Sequence, residues 1–288
     1  MRNNRSAIVA LCAVLLAEAG CAEMQPAAED AARRSGNPRM VEATHGASTL
    51  AASPLPIGDE EEKSIGEAIA LQVVARYGGT IEQPDVVRYV NLVGKAVAKT
   101  SDRPDVPFRV AILNHDSINS FAAPSGYIFV TRGLLKQIQN EAELAAVFGH
   151  EIAHVSQKHL LDVIQRTKRV AGIGEEGLGY ATKDPAVFKN VVDNAVKTLL
   201  DEGFDQDKET EADALGDVLA ARVGYDASAY VGLLTRLREL KGDDQAFIKT
   251  HPNFSMRINA VQEAIRTNGL QSNGVLLPDR FAQRGKVV

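Results

Sequence analysis

A chain of 288 residues, 45% hydrophobic and 24% charged, has the balance of an ordinary globular protein with a well-buried core. Its formal charge of −5 comes without any Lys/Arg-rich block, which excludes the usual footprint of a nucleic-acid binder. No stretch reaches the roughly 20 apolar residues that a membrane-spanning helix needs.

The first residues read as an export signal: Arg2 and Arg5 form a basic start, and Ala7 to Ala17 a short apolar run. Two processing readings stay open. Ala17-Glu18-Ala19 fits the small-x-small pattern of ordinary cleavage. Ala19-Gly20-Cys21 resembles the end of a bacterial lipobox, which would make Cys21 a lipid-bearing first residue anchored to the outer membrane and facing the periplasm. Glu18 stands where that motif usually has an aliphatic residue. The lipid reading is preferred, because Cys12 would be removed with the signal and the mature chain would hold no cysteine pair and no internal disulfide. Residues 1–20 are then the signal. Residues 21–57, rich in Ala, Pro, Ser, Gly and charge without apolar periodicity, read as a flexible tether.

The folded domain is expected over 58–272, followed by a loosely ordered tail at 273–288. Acidic residues from Asp59 precede the helical spacing Ile65, Ile69, Val73. A second helix is predicted from Pro84 to Lys99, and strands over Phe108–Leu113 and Tyr127–Thr131, joined by a turn-rich connection from Asn119 to Gly126. Beyond Gly133 the periodicity predicts helices over 141–157, 158–169, 185–200, 206–222, 227–240 and 255–267. The four glycines between Ala171 and Tyr180 mark a connection. The expected fold is one α+β domain, mainly helical, with a small antiparallel sheet.

The helix predicted from Glu141 carries His150-Glu151-Ile152-Ala153-His154. Residues four apart share a helix face, so both imidazoles can reach one metal ion, and Glu151 lies close enough to serve as general base. Two neutral imidazoles and a carboxylate would leave a zinc ion positively charged with an open fourth position. Two surface histidines on a helix are the competing explanation, and a matched third ligand weighs against it. A metzincin would need glycine at 157 and histidine at 160; Gln157 and Leu160 exclude that class, and His159 is off register on the next helix. The other arrangement takes a Glu from a later helix. Glu209-Thr210-Glu211-Ala212-Asp213 opens such a helix, with Glu209 as candidate ligand. Asp213, four residues on, would accept a hydrogen bond from a ligating imidazole. An acidic first turn favoured by the helix dipole is the plainer account, and for Glu211 it suffices.

Four stretches in order resemble the CAAX prenyl endopeptidase and HtpX-type zinc metallopeptidases, above all their soluble, lipoprotein-like periplasmic members. They are Asn119-Ser-Phe-Ala with Pro124 to Leu135, Glu143-Leu-Ala with His150 to His154, Glu209 with Ala212-Asp213, and Thr250-His251-Pro252 with Arg257-Ile258. The resemblance implies a gluzincin core with one Zn2+ per chain, Glu209 rather than Glu211 as the third ligand, and a short sheet beside the active-site helix. Ser125 stands where these proteins often have glycine. In this reading Ser125, Gly126, Tyr127 and Ile128 form a strand at the cleft rim whose unpaired backbone takes up an extended substrate. His251, held extended by Pro252, would either donate to a developing oxyanion or sit at the fourth zinc position as a latch.

The function expected is a zinc-dependent metalloendopeptidase acting on unfolded or misassembled exported polypeptides, with Glu151 as general base. A chaperone-like periplasmic client binder is the alternative from another class, though such a protein has no need of Glu151. A structural zinc site would fill all four positions, usually with Cys or His.

Overall fold

A computed structural model describes residues 57–170, 185–241 and 253–287. The export signal, Cys21, the tether up to Pro56, the glycine-rich connection and His251 lie outside the described residues. Residues 57–167 and the described residues from 185 onward belong to one compact unit.

α1 (Asp59–Arg76) has four acidic residues in its first turn and buries Ile65, Ile69 and Val73. α2 (Pro84–Ala98) begins on a proline, whose fixed φ suits the first helical position. β1 (Arg109–Leu113), β2 (Ser120–Ala123) and β3 (Tyr127–Thr131) follow, with a 3₁₀ turn at Pro124–Gly126 and the one-turn α3 at Arg132–Leu135. The rest is helical. α4 (Glu141–Ser156), α5 (His159–Val170), α6 (Pro185–Lys197) and a π turn at Thr198–Glu202 lead to α7 (Gln206–Val223). α8 (Ser228–Lys241), α9 (Phe254–Thr267) and α10 (Pro278–Arg284) complete the described chain. Among the described residues no helix is long and apolar enough to cross a membrane.

The sheet has the order β1-β3-β2, with β1 parallel and β2 antiparallel to β3. It is therefore mixed, not antiparallel as expected. The difference comes from β2, whose four residues Ser-Phe-Ala-Ala sit between Asn119 and Pro124 and read as a turn. Ser and Ala carry little strand preference, so only pairing with β3 reveals the strand. Side chains alternate across the sheet. Val110, Ile112, Ala122, Ile128 and Val130 join a core with residues of α2, α4, α7, α8 and α9. Leu113, Phe121, Ala123 and Phe129 join a second core with α1, α5 and α6.

β3 thus lies in the middle of the sheet, which corrects the expected substrate strand. Tyr127 pairs with Arg109 and Ala123, and Ile128 with Val110 and Ala122, so their backbone is flanked on both sides. The terminal strands of the sheet are β1 and β2, and β2 is the one that touches Glu151 of α4. Ser125 and Gly126 belong to the turn that joins β2 to β3. Ser125 has φ 59° and ψ 24°, the left-handed region that favours glycine, and its N–H donates to Glu62 Oε1 at 2.9 Å. Buried Glu62 also takes two hydrogen bonds from Arg103, which reaches on to the Val155 carbonyl, tying α1 and this turn to the end of α4.

The tail is not loose either. Phe281 of α10 is fully buried, and Arg280 pairs with Glu141 at the start of α4. Tyr89 and Tyr225 donate to the same carboxylate, so α10 closes over the beginning of α4.

Candidate metal centre

α4 starts from a reciprocal cap: Asn140 accepts from the Glu143 N–H at 2.9 Å, and Glu143 Oε2 accepts from the Gln139 N–H. From Glu141 to Val155 every residue of the helix is buried. α7 crosses it at a pair of glycines. A Cβ on Gly149 would lie 2.2 Å from the Gly216 carbonyl oxygen, and one on Gly216 would lie 2.4 Å from the His150 nitrogen. Only glycine on both sides lets the backbones meet so closely, and this contact carries Glu209 and Asp213 onto the two histidines.

His150 Nε2 and His154 Nε2 are 3.1 Å apart, and the Glu209 carboxylate lies 3.6 Å from the first and 3.4 Å from the second. Donors held at 2.0–2.2 Å around a tetrahedral zinc ion are about 3.4 Å apart, so this buried triangle fits one zinc ion. His150 Nδ1–H donates to Asp213 Oδ1 at 2.8 Å, which leaves Nε2 bare toward the centre. Arg257 grips Asp213 through Nε and Nη2 at 3.0 and 2.7 Å, and its Nη2 also donates to the Tyr230 hydroxyl. Burial alone would push the Asp213 carboxyl up, but Arg257 and His150 hold it well below the usual carboxylate range. On the far side Phe204 stacks on the His154 ring with centroids 4.6 Å apart, placed there by the π turn and by Gly203 at φ 79°.

Glu151 points toward the sheet, where Ser120 of β2 donates to its Oε1 at 2.7 Å. A strand terminal in its sheet, a buried carboxylate and three metal donors are thus adjacent.

The profile of peptidase family M48 matches residues 84–265, more than half of the chain and all of this constellation. The chain belongs to peptidase family M48. A beta-barrel assembly-enhancing protease of Yersinia pestis is 28% identical over 69% of this chain and 43% of its own length. The mitochondrial metalloendopeptidase OMA1 of Arabidopsis thaliana is 30% identical over 59% of this chain and 34% of its own. The metalloprotease YcaL of Escherichia coli is 22% identical over 60% and 67%. The chain spans less than half the length of the first two.

Within this M48 domain the structure brings together His150, Glu151, His154, Glu209 and Asp213, while Tyr127 and Ile128 are paired on both sides within the sheet and Ser125 and Gly126 lie in the turn before them. Other residues carried no assigned role in the sequence. Ser120 and Arg257 lay inside family-matched stretches, so a signal was there. Tyr230 and Phe204 had none, since each is one aromatic among many. His159, taken as off register, puts its Nδ1 2.8 Å from His154 Nδ1, and Glu211 Oε2 is 3.3 Å from His159 Nε2. Asp217, one turn beyond Asp213, is 1% exposed, and neither of its carboxylate oxygens has a hydrogen-bond partner. Burial first, then Asp213 and Asp226, push it up to about 8.

Proposed function

We propose that this chain is a zinc-dependent metalloendopeptidase that cleaves unfolded or misassembled polypeptides of the bacterial envelope. The observation that carries the reading is the Ser120–Glu151 hydrogen bond, which ties a buried proton acceptor on the metal-binding helix to β2, a terminal strand of the sheet. An extended substrate would add to β2, using its main chain and little of its sequence. His150, His154 and Glu209 would hold the zinc ion, which would supply Lewis-acid polarisation of the scissile carbonyl and a water of lowered pKa. Glu151 accepts the proton of the attacking water and hands it to the leaving amine. Ser120 keeps the carboxylate in position. Asp213, Arg257 and Tyr230 hold the His150 ring so that its Nε2 faces His154 and Glu209.

The relative named a beta-barrel assembly-enhancing protease supports envelope protein quality control as the setting. Export of the precursor, lipidation at Cys21 and outer-membrane anchoring belong to the same proposal, as does a catalytic or latching part for His251. The test is Glu151→Gln, assayed for zinc content and for casein digestion with and without chelator. Zinc is expected to stay while digestion is lost. Digestion at the parent rate would sink the mechanism.

A further inference from the structure

His159 is the first residue of α5, and the turn before it is tight: Lys158 has φ 58°, in the left-handed region. That turn folds the His159 ring back against His154, with centroids 4.9 Å apart and planes at 74°. The ring is 2% exposed, and its Nδ1 meets His154 Nδ1 at 2.8 Å. Two imidazole nitrogens at this distance need one proton between them.

The metal centre decides which nitrogen carries it. His154 can offer Nε2 to a cation only if its own proton sits on Nδ1. His159 Nδ1 must then be bare and accept, which moves the His159 proton to Nε2. That nitrogen lies 3.3 Å from Glu211 Oε2, and a carboxylate only accepts. Each link requires the next. The reverse assignment would put a proton on His154 Nε2, 3.1 Å from His150 Nε2 and 3.4 Å from Glu209, where it would block the centre.

We propose that His159 and Glu211 form a relay that fixes the metal-binding tautomer of His154. The two ligating histidines are then held by different devices. His150 is gripped directly by Asp213, a carboxylate fully buried on α7. His154 is held through an intervening imidazole whose outer partner, also on α7, keeps 55% of its side chain exposed. Water can stand in for an exposed acceptor, so the relay is sensitive at its inner member and tolerant at its outer one. Glu211 thus gains a part in the centre beyond an acidic first turn.

The inference rests on the metal reading of the site, and zinc affinity of the full chain, by competition with a chelator, tests the two apart. His159→Phe keeps the ring volume and removes the acceptor; a loss of about 10–100-fold is expected, with the metal-free melting temperature unchanged. His159→Gln can still accept through its side-chain carbonyl and is expected within about 3-fold of the parent, as is Glu211→Gln. In the zinc-loaded parent, a long-range proton–nitrogen spectrum should show His159 protonated on Nε2 and bare on Nδ1. Parent-like affinity in His159→Phe overturns the proposal, and so does a loss in His159→Gln as large as in His159→Phe. A proton on His159 Nδ1 overturns it as well, a result that needs no variant to fold. A parent that binds no zinc would instead overturn the metal centre itself.

Discussion

Gly216→Ala tests the crossing that builds the centre. Its Cβ would stand 2.4 Å from the His150 nitrogen, 2.6 Å from the Gly149 carbonyl carbon and 2.7 Å from His150 Cα, all backbone atoms. Ordinary contact begins at 3.4 Å, so α4 and α7 must separate locally by about 1 Å. The metal donors are divided between the same two helices. A separation of about 1 Å takes the His150–Glu209 distance from 3.6 Å to about 4.5 Å, well beyond the edge of a zinc tetrahedron. It also stretches the 2.8 Å bond from His150 to Asp213 past hydrogen-bond range. Overpacking of this kind costs about 1–3 kcal/mol of stability, and misplacement of the donors adds a loss of zinc affinity beyond it. Melting of the metal-free protein and chelator competition would measure the two effects separately. A variant with parental zinc affinity and a melting temperature within about 2 °C of the parent would refute the argument that this glycine pair sets the donor spacing.

Other perturbations follow from single contacts. Ser120→Ala removes the hydroxyl that orients Glu151 and should lower kcat/KM by about 10–100-fold at unchanged zinc content, the worth of a hydrogen bond to a charged group; unchanged kcat/KM would dismiss the bond's role. Ser125→Gly should stabilise by about 0.5–1 kcal/mol, since the left-handed strain exceeds the added chain entropy and the N–H to Glu62 is kept; a lower melting temperature would contradict this. Asp217 stays protonated in the fold up to about pH 8, whereas the unfolded chain loses that proton near pH 4. Between those values the native state binds the extra proton, so its contribution is full below about pH 4 and declines as pH rises toward 8. Asp217→Asn should therefore raise stability at pH 8, by up to about 5 kcal/mol, and match the parent below pH 4; equal melting temperatures at pH 8 would show that the carboxyl is not a buried acid.

The helices were legible in the sequence because their apolar spacing, acidic first turns and caps are local, and the helices at 141, 185 and 206 begin where the periodicity begins. The same locality made the donor set readable. His150 and His154 share a face by helical spacing alone, and Glu209 and Asp213 share one by the same rule. Pairings across the chain were not readable. β2 is four residues of weak strand preference, visible only through its ladder to β3, and the order β1-β3-β2 puts Tyr127–Thr131 in the middle of the sheet and Ser120–Ala123 at one of its ends. His159 looked misplaced because a linear register cannot show a left-handed turn at Lys158 folding the ring back onto His154. The tail lacked periodicity yet orders as α10, because Phe281 finds a core and Arg280 finds Glu141, both built by residues far away in sequence. The sequence by itself determined which side chains could hold the metal. The Gly149–Gly216 contact determined that they meet, since a backbone crossing leaves no spacing rule in either helix taken alone.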